Sequence, residues 1–224
     1  MRGKLIVVEG TDCSGKETQT KLLFTRLNSE GFSTLRMQFP MYDTPTGRII
    51  AGPMLGKPAY GKSYFDEGAG KMNGKVASLY FAADRLYNID KVTSKLDAGT
   101  SVILDRYVDS NKVHQCSKID DDVLREKQYE FIEKLEYDLL GLPKPDIKIM
   151  LFMPLEYREI LQKNRAEEAD DVEKDLVYQK ASIRACLEVA SRDGYLLVNC
   201  VKDGKVRSIE DIHEQIYQYV KERL

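Results

Sequence analysis

Gly10, Gly15 and Lys16 fall in the spacing G-x-x-x-x-G-K, and that spacing points to phosphate chemistry. Backbone N–H groups from Gly10 through Thr11, Asp12, Cys13, Ser14 and Gly15 can wrap an anion, and a following helix adds the positive end of its dipole. Lys16 can then reach the β- and γ-phosphates of a nucleotide. Glu17 comes next, where a hydroxyl normally touches the ion that accompanies a triphosphate. Successive helical side chains are rotated by roughly 100°, so only part of Glu17 need approach the phosphates. The hydroxyl of Thr18 can face the α-phosphate, and a magnesium ion, which usually keeps several waters, can be met through water.

Two further groups carry related chemistry. In "SVILDRY" an apolar strand delivers Asp105 to the carboxyl edge of a sheet, where open α/β folds bind their ligands. A carboxylate there suits a magnesium shell, and the Arg106 guanidinium can clamp a phosphate; an Asp-Arg surface turn is the plain alternative. In "KVASLYFAADRLYN", Val76, Leu79, Tyr80, Ala83, Leu86 and Tyr87 form one apolar stripe at helical spacing. Phe81 falls on the opposite side with Arg85 one turn on, an aromatic platform for a flat base with a guanidinium offered to its carbonyl edge. Phe81 packed beneath a neighbouring loop would account for the same pattern.

These groups need a scaffold, and five short apolar runs supply one at residues 4–9, 33–39, 101–105, 146–153 and 195–200. Each is nearly continuous in apolar or β-branched residues, as strands covered on both faces of a parallel sheet require. Helical patterns alternate with them: Leu22, Leu23 and Leu27 before Gly31, then residues 76–96, 123–140 and 208–224. The last opens with Ser208 and Asp211 in capping-box spacing and repeats Ile209, Ile212, Ile216 and Val220 on one face. The alternation predicts one doubly wound α/β domain over residues 1–224, with a five-stranded parallel sheet flanked by helices. Residues 52–74 hold six of the fifteen glycines with Pro53 and Pro58, and read as a long mobile loop. Residues 162–175 are dense in charge and could be a solvated helix face.

Composition narrows the partners. With 224 residues, 42% hydrophobic and 31% charged, the chain can bury an ordinary core. A net charge of −2 argues against a general nucleic-acid binder, so phosphate-handling cations must be few and local. Four scattered cysteines and two histidines argue against a disulfide framework or a zinc site. No run reaches membrane-span length, and a reducing cytoplasm is the expected location.

Taken together, "EGTDCSGKETQ", "FP" at 39–40, "YFAADR" at 80–85, "LDRYVDSN" at 104–111 and "GLPKPD" at 141–146 resemble the thymidylate kinase family in order and spacing. The resemblance implies a P-loop kinase fold with a lid at about 156–175, a homodimer, and transfer of a phosphoryl group from Mg-ATP to dTMP. It implies an ATP site at Gly10 to Thr18, with Glu17 in a G-K-x-T-Q variant of the loop. Asp12 would bind the sugar 3′-hydroxyl, Phe81 would stack on thymine, Arg85 would bond its carbonyl, Arg106 would hold the acceptor phosphate, and Asp105 would order Mg2+. Phe39, Tyr42, Ser110, Asn111 and Gln115 would line the dTMP pocket, with His114 near the sugar. Three departures stand out. Met41 and Tyr42 follow "FP" where many members carry an arginine, so that grip is absent or passes to Arg48; Cys13 replaces a P-loop arginine of some members; and the lid is acidic, with Lys163 and Arg165 the cationic groups expected to serve the site and Arg165 expected to act in catalysis. A monophosphate kinase for another base, or a catalytically weak nucleotide-binding homologue, are the competing readings.

Overall fold

A computed structural model describes residues 1–157 and 176–224. Five strands form a wholly parallel sheet in the order β2-β3-β1-β4-β5: β1 Leu5–Gly10, β2 Thr34–Gln38, β3 Ser101–Asp105, β4 Ile147–Phe152 and β5 Leu196–Asn199. All five expected strands are present, each within a residue or two of its predicted bounds. The helices are α1 Lys16–Ser29, α2 Pro45–Ile49, α3 Gly74–Asp97, α4 Val108–Cys116, α5 Asp122–Glu133, α6 Leu176–Arg192 and α7 Ile209–Lys221.

β1 shows why the sheet is buried on both sides. Leu5 and Val7 join a core with Val92 and Leu96 of α3, Val113 of α4, Ile132 of α5 and Val189 of α6. Ile6 and Val8 point the other way, into a core with Leu23 and Leu27 of α1 and Ile212, Ile216 and Val220 of α7. Alternate side chains of one strand therefore feed opposite layers. Ser208 caps α7 as its spacing predicts, its Oγ accepting from Asp211 N at 3.1 Å. Ile209, expected on the buried face, is 50% exposed because it opens the helix beyond the edge of the core.

The stripe on α3 lies the other way round from the expectation. Val76, Leu79, Leu86 and Tyr87 are exposed, whereas Ala77, Ser78, Ala82, Asp84, Arg85 and Asn88 are buried. Hydrophobic periodicity counts apolar residues only, and this inner face is made of small side chains and of polar ones that have hydrogen-bond partners. Asp84 accepts from Met41 N at 3.0 Å and Thr46 Oγ1 at 2.7 Å, and Asn88 donates to Thr44 Oγ1 at 3.2 Å, so the "FP" turn is tied to α3. Residues 52–74 are also more anchored than a free loop. Ile50–Met54 forms a wide helical turn with Ile50 and Met54 buried, Ser63 Oγ donates to the Met54 carbonyl, and Lys118 Nζ donates to Ala69 O and Met72 O. Among the described residues, no helix is long and apolar enough to cross a membrane.

Candidate active site

The glycine loop leaves β1 at the carboxyl edge of the sheet, between β3 and β4. Thr11 pins it to β4: its hydroxyl donates to Met153 O at 3.2 Å and accepts from Met153 N at 2.9 Å. A Cβ on Gly10 would lie 2.4 Å from Leu151 O, so the loop can hug β4 only with glycine there. Cys13 (φ 58) and Gly15 (φ 83) adopt left-handed backbone, the alternation that turns successive N–H groups into a concave nest. Lys16 folds back over that nest, donating to Gly10 O at 3.0 Å and Thr11 O at 2.9 Å. Burial, with Arg106 nearby, lowers its pKa from the usual lysine value. Ser14 Oγ is buried with no partner, as a hydroxyl kept for an anion would be. Glu17 points away: its side chain is 65% exposed and pairs with Lys21 at 2.6 Å. A carboxylate after Lys16 therefore leaves the nest intact.

The end of β3 builds the second half. Asp105 sits 3.6 Å from Arg36 Nη2, and Arg106 takes a left-handed conformation (φ 67) that throws its guanidinium back across the loop. Arg106 contacts Asp12 Oδ1 at 3.2 Å, Ser110 Oγ at 3.4 Å and His114 Nε2 at 3.1 Å. Burial would raise the Asp12 carboxyl, but Arg106 and Lys16 outweigh it and hold Asp12 well below the ordinary range. His114 is driven down to about 3 by burial and by Arg106, so it is neutral; its Nδ1 lies 2.8 Å from Tyr178 OH on α6. Gln179, the next residue of α6, donates to Asp12 Oδ2 at 3.1 Å.

Glu9 holds this turn in place, and sequence reasoning did not single it out. From the end of β1 it accepts from Tyr107 N at 2.7 Å and Ser110 N at 3.0 Å, capping the first turn of α4, and its Oε2 lies 2.6 Å from Ser110 Oγ. A carboxylate closing a run of four buried apolar residues was the visible signal. Burial pushes its pKa up to about 7 against the pull of Arg106. The neutral acid keeps both backbone bonds through Oε1 and can share its proton with Ser110. Because the folded pKa is raised, this contribution to stability is full below about pH 4.5 and is lost as pH rises through 7. Glu9→Gln mimics the neutral acid, so the stability of the wild type relative to the variant should fall by about 2 kcal/mol between pH 5 and 8. Urea unfolding at both pH values checks this; a constant difference would show that Glu9 does not titrate in that window.

The expected base-facing residues gather between α3 and α4. Phe81 is partly buried against Met72 and Ala77, with Tyr42 and Phe65 packed on the same cluster. Phe39 lies in the main core, its ring 6.0 Å from that of Tyr107. Arg85 is not on an open face: it is 2% exposed and is held by Glu136, through Nε and, at 2.7 Å, through Nη2, with Nη1 donating to Tyr107 O at 3.2 Å. Asn111 and Gln115 are buried, and each leaves its carbonyl oxygen unpartnered. Gln115 lines a cavity of about 580 Å³ with Gly74, Gln128 and Tyr178. Arg48 is exposed on α2, and Lys163 and Arg165 lie outside the described residues.

The sequence profile of the family described as thymidylate kinase matches residues 8–216. The chain belongs to the thymidylate kinase family. A probable thymidylate kinase of Pyrococcus abyssi is 30% identical over 227 residues, covering 100% of this chain and 98% of that protein. The thymidylate kinase of Plasmodium falciparum is 27% identical, covering 98% and 90% respectively. The solved thymidylate kinase of Candida albicans superposes with a TM-score of 0.71 at 26% identity, covering 99% of this chain and 92% of that one. Membership makes the chain a kinase-family enzyme that uses ATP. A thymidylate kinase also needs a way to hold magnesium. Among the described residues no three acidic, histidine or cysteine side chains converge. Asp105, buried at the carboxyl end of β3, fits an ion held mainly by phosphates and water.

Proposed function

We propose that this protein transfers the γ-phosphoryl group of Mg-ATP to dTMP, giving dTDP and ADP. The observation that carries the reading is the convergence of two cations, the buried Lys16 and the partly buried Arg106, with Asp12 at one sheet edge, next to Arg85, which is bonded to Tyr107 O. Phosphoryl transfer passes through a loose transition state, so positioning and charge stabilisation do most of the work. In this reading residues 10–18 cradle the donor phosphates, with Lys16 on the β- and γ-groups. Arg106 exchanges Asp12 for the acceptor phosphate, and Asp12 meets the 3′-hydroxyl. Phe39, Tyr42, Phe81, Arg85, Ser110, Asn111 and Gln115 enclose the nucleoside. Asp105 holds Mg2+, which neutralises charge on the phosphates. Lys163 or Arg165 supplies a further cation from the acidic lid, since Cys13 offers none.

A homodimer is part of the same reading. The exposed stripe of Val76, Leu79, Leu86 and Tyr87 on α3 is an apolar face that a second copy would cover. The setting is cytosolic. The reading of a weak regulatory homologue loses one of its two supports, because the Glu17 side chain is exposed and pairs with Lys21; the missing arginine after "FP" is the other. A coupled ADP-release assay with dTMP, dUMP, dCMP, dAMP and dGMP tests the proposal directly. Fast turnover with dTMP is expected. Preference for another monophosphate would replace the base assignment, and binding of both nucleotides without turnover would overturn the activity.

A further inference from the structure

Glu136 belongs to the wide helical turn Lys134–Leu139 that continues α5, and its side chain is 0% exposed. Both its oxygens are committed. Oε2 accepts from Arg85 Nε, while Oε1 accepts from Arg85 Nη2 at 2.7 Å and from Asn111 Nδ2 at 2.8 Å. Asn111 Nδ2 also donates to Ser78 O, at 3.2 Å. Both amide protons of Asn111 are therefore spent on protein oxygens. That fixes which way the amide faces, and it leaves Oδ1 buried with no partner. Arg85 makes one further bond, from Nη1 to Tyr107 O at 3.2 Å. Of the five N–H donors of a guanidinium, three are used, and one remains on each terminal nitrogen. Since Arg85 and Asn111 share Oε1, one carboxylate holds a residue with donors to spare next to a residue with an unpartnered acceptor.

We infer that Glu136 is a positioning residue that sets the hydrogen-bond polarity of the acceptor-base pocket, so that it reads an O=C–N–H edge. The inference rests on the proposal that this pocket takes a nucleoside monophosphate. A thymine offers its 4-carbonyl to Arg85 and its N3–H to Asn111 Oδ1. Cytosine presents the reverse, an amino group towards a cation and a bare ring nitrogen towards an oxygen, and leaves buried groups unpaired. Such mismatches are where large discrimination arises. With an amide at position 136, one of its groups becomes a donor facing Arg85 or Asn111, which are themselves donors. Asn111 can relieve the clash only by turning over, which sets its oxygen against Ser78 O and shows an N–H to the base. Polarity is then lost.

The test compares wild type, Glu136→Gln and Glu136→Asp with dTMP and dCMP at saturating ATP. For Glu136→Gln, the dTMP KM should rise about tenfold or more and the dTMP-to-dCMP ratio of kcat/KM should fall at least tenfold, with the ATP KM within about twofold. Glu136→Asp, which keeps the charge, should lie between. An unchanged ratio in a folded variant, even with lower kcat, would make Glu136 merely structural and overturn the inference. Should neither variant fold, the wild type decides by NMR. The Arg85 Nε–H and both Asn111 amide protons should exchange slowly before dTMP is added; rapid exchange that slows only with dTMP would overturn the preset orientation. A wild type that ignores dTMP altogether would instead defeat the functional proposal, a separable outcome.

Discussion

Arg85→Ala should destabilise the protein by about 3–5 kcal/mol, the usual cost of leaving one member of a buried ion pair without its partner. Glu136 is wholly buried, and Arg85 supplies two of its three bonds; the third comes from Asn111. Truncation would strand a carboxylate that water cannot reach. For a chain of this length the unfolding midpoint should fall by on the order of 10 °C. At temperatures where the variant stays folded, acceptor binding should weaken by roughly 1–3 kcal/mol while ATP binding changes little. Removing both charges should recover much of the lost stability, because a hydrophobic pair of similar volume often matches a buried ion pair. Thermal and urea unfolding of Arg85→Ala and of Arg85→Met with Glu136→Leu measure both effects. A loss below about 1 kcal/mol in the single variant would mean that the pair is solvated in solution.

Lys16→Ala should lower turnover by about 2–4 kcal/mol of transition-state stabilisation, roughly 30- to 1000-fold. The neighbouring cation does not replace this charge. Arg106 lies close enough to lower the pKa of Lys16, yet its guanidinium is already engaged by Asp12 and Ser110. Lys16 is also 8% exposed and bonded to two loop carbonyls, so the variant should lose about 1 kcal/mol of stability as well. Steady-state rates at saturating substrates, measured beside the unfolding curves, separate the two. Turnover within about threefold of wild type would remove Lys16 from the chemistry.

How far the molecule could be read from its residues varies by region, for physical reasons. The sheet and the phosphate loop were legible because their signals are local: near-continuous apolar runs, and glycines whose spacing a loop demands. α4 was not foreseen. Its residues, "VDSNKVHQC", are largely polar, and its first turn is capped by a carboxylate almost 100 residues earlier in the chain. α6 also went unpredicted; its buried residues, such as Cys186, Val189 and Ala190, are small or sparse. The buried face of α3 was read inside out because Asp84, Arg85 and Asn88 are satisfied by partners in other segments. Glu136 did leave a trace. It stands four residues after the buried Ile132, where a fully apolar stripe would have continued. A charge on such a stripe implies a buried counter-ion, which the structure shows to be Arg85. The Phe81–Arg85 spacing drew attention to α3, but it could not show that Arg85 was already engaged.

The opening turn of α6 touches both halves of the site: Gln179 holds Asp12 of the phosphate loop, and Tyr178 meets His114, which in turn meets Arg106. One segment is thus fastened to the phosphate loop, whose backbone is assigned to the donor, and through His114 to Arg106, assigned to the acceptor phosphate, so a shift on either side is felt on the other. Thermodynamic linkage makes such coupling symmetric. If the donor tightens the acceptor by some factor, the acceptor must tighten the donor by the same factor. The two affinities then behave as one shared quantity, and cutting the Tyr178 or Gln179 contact should reduce it equally from both directions.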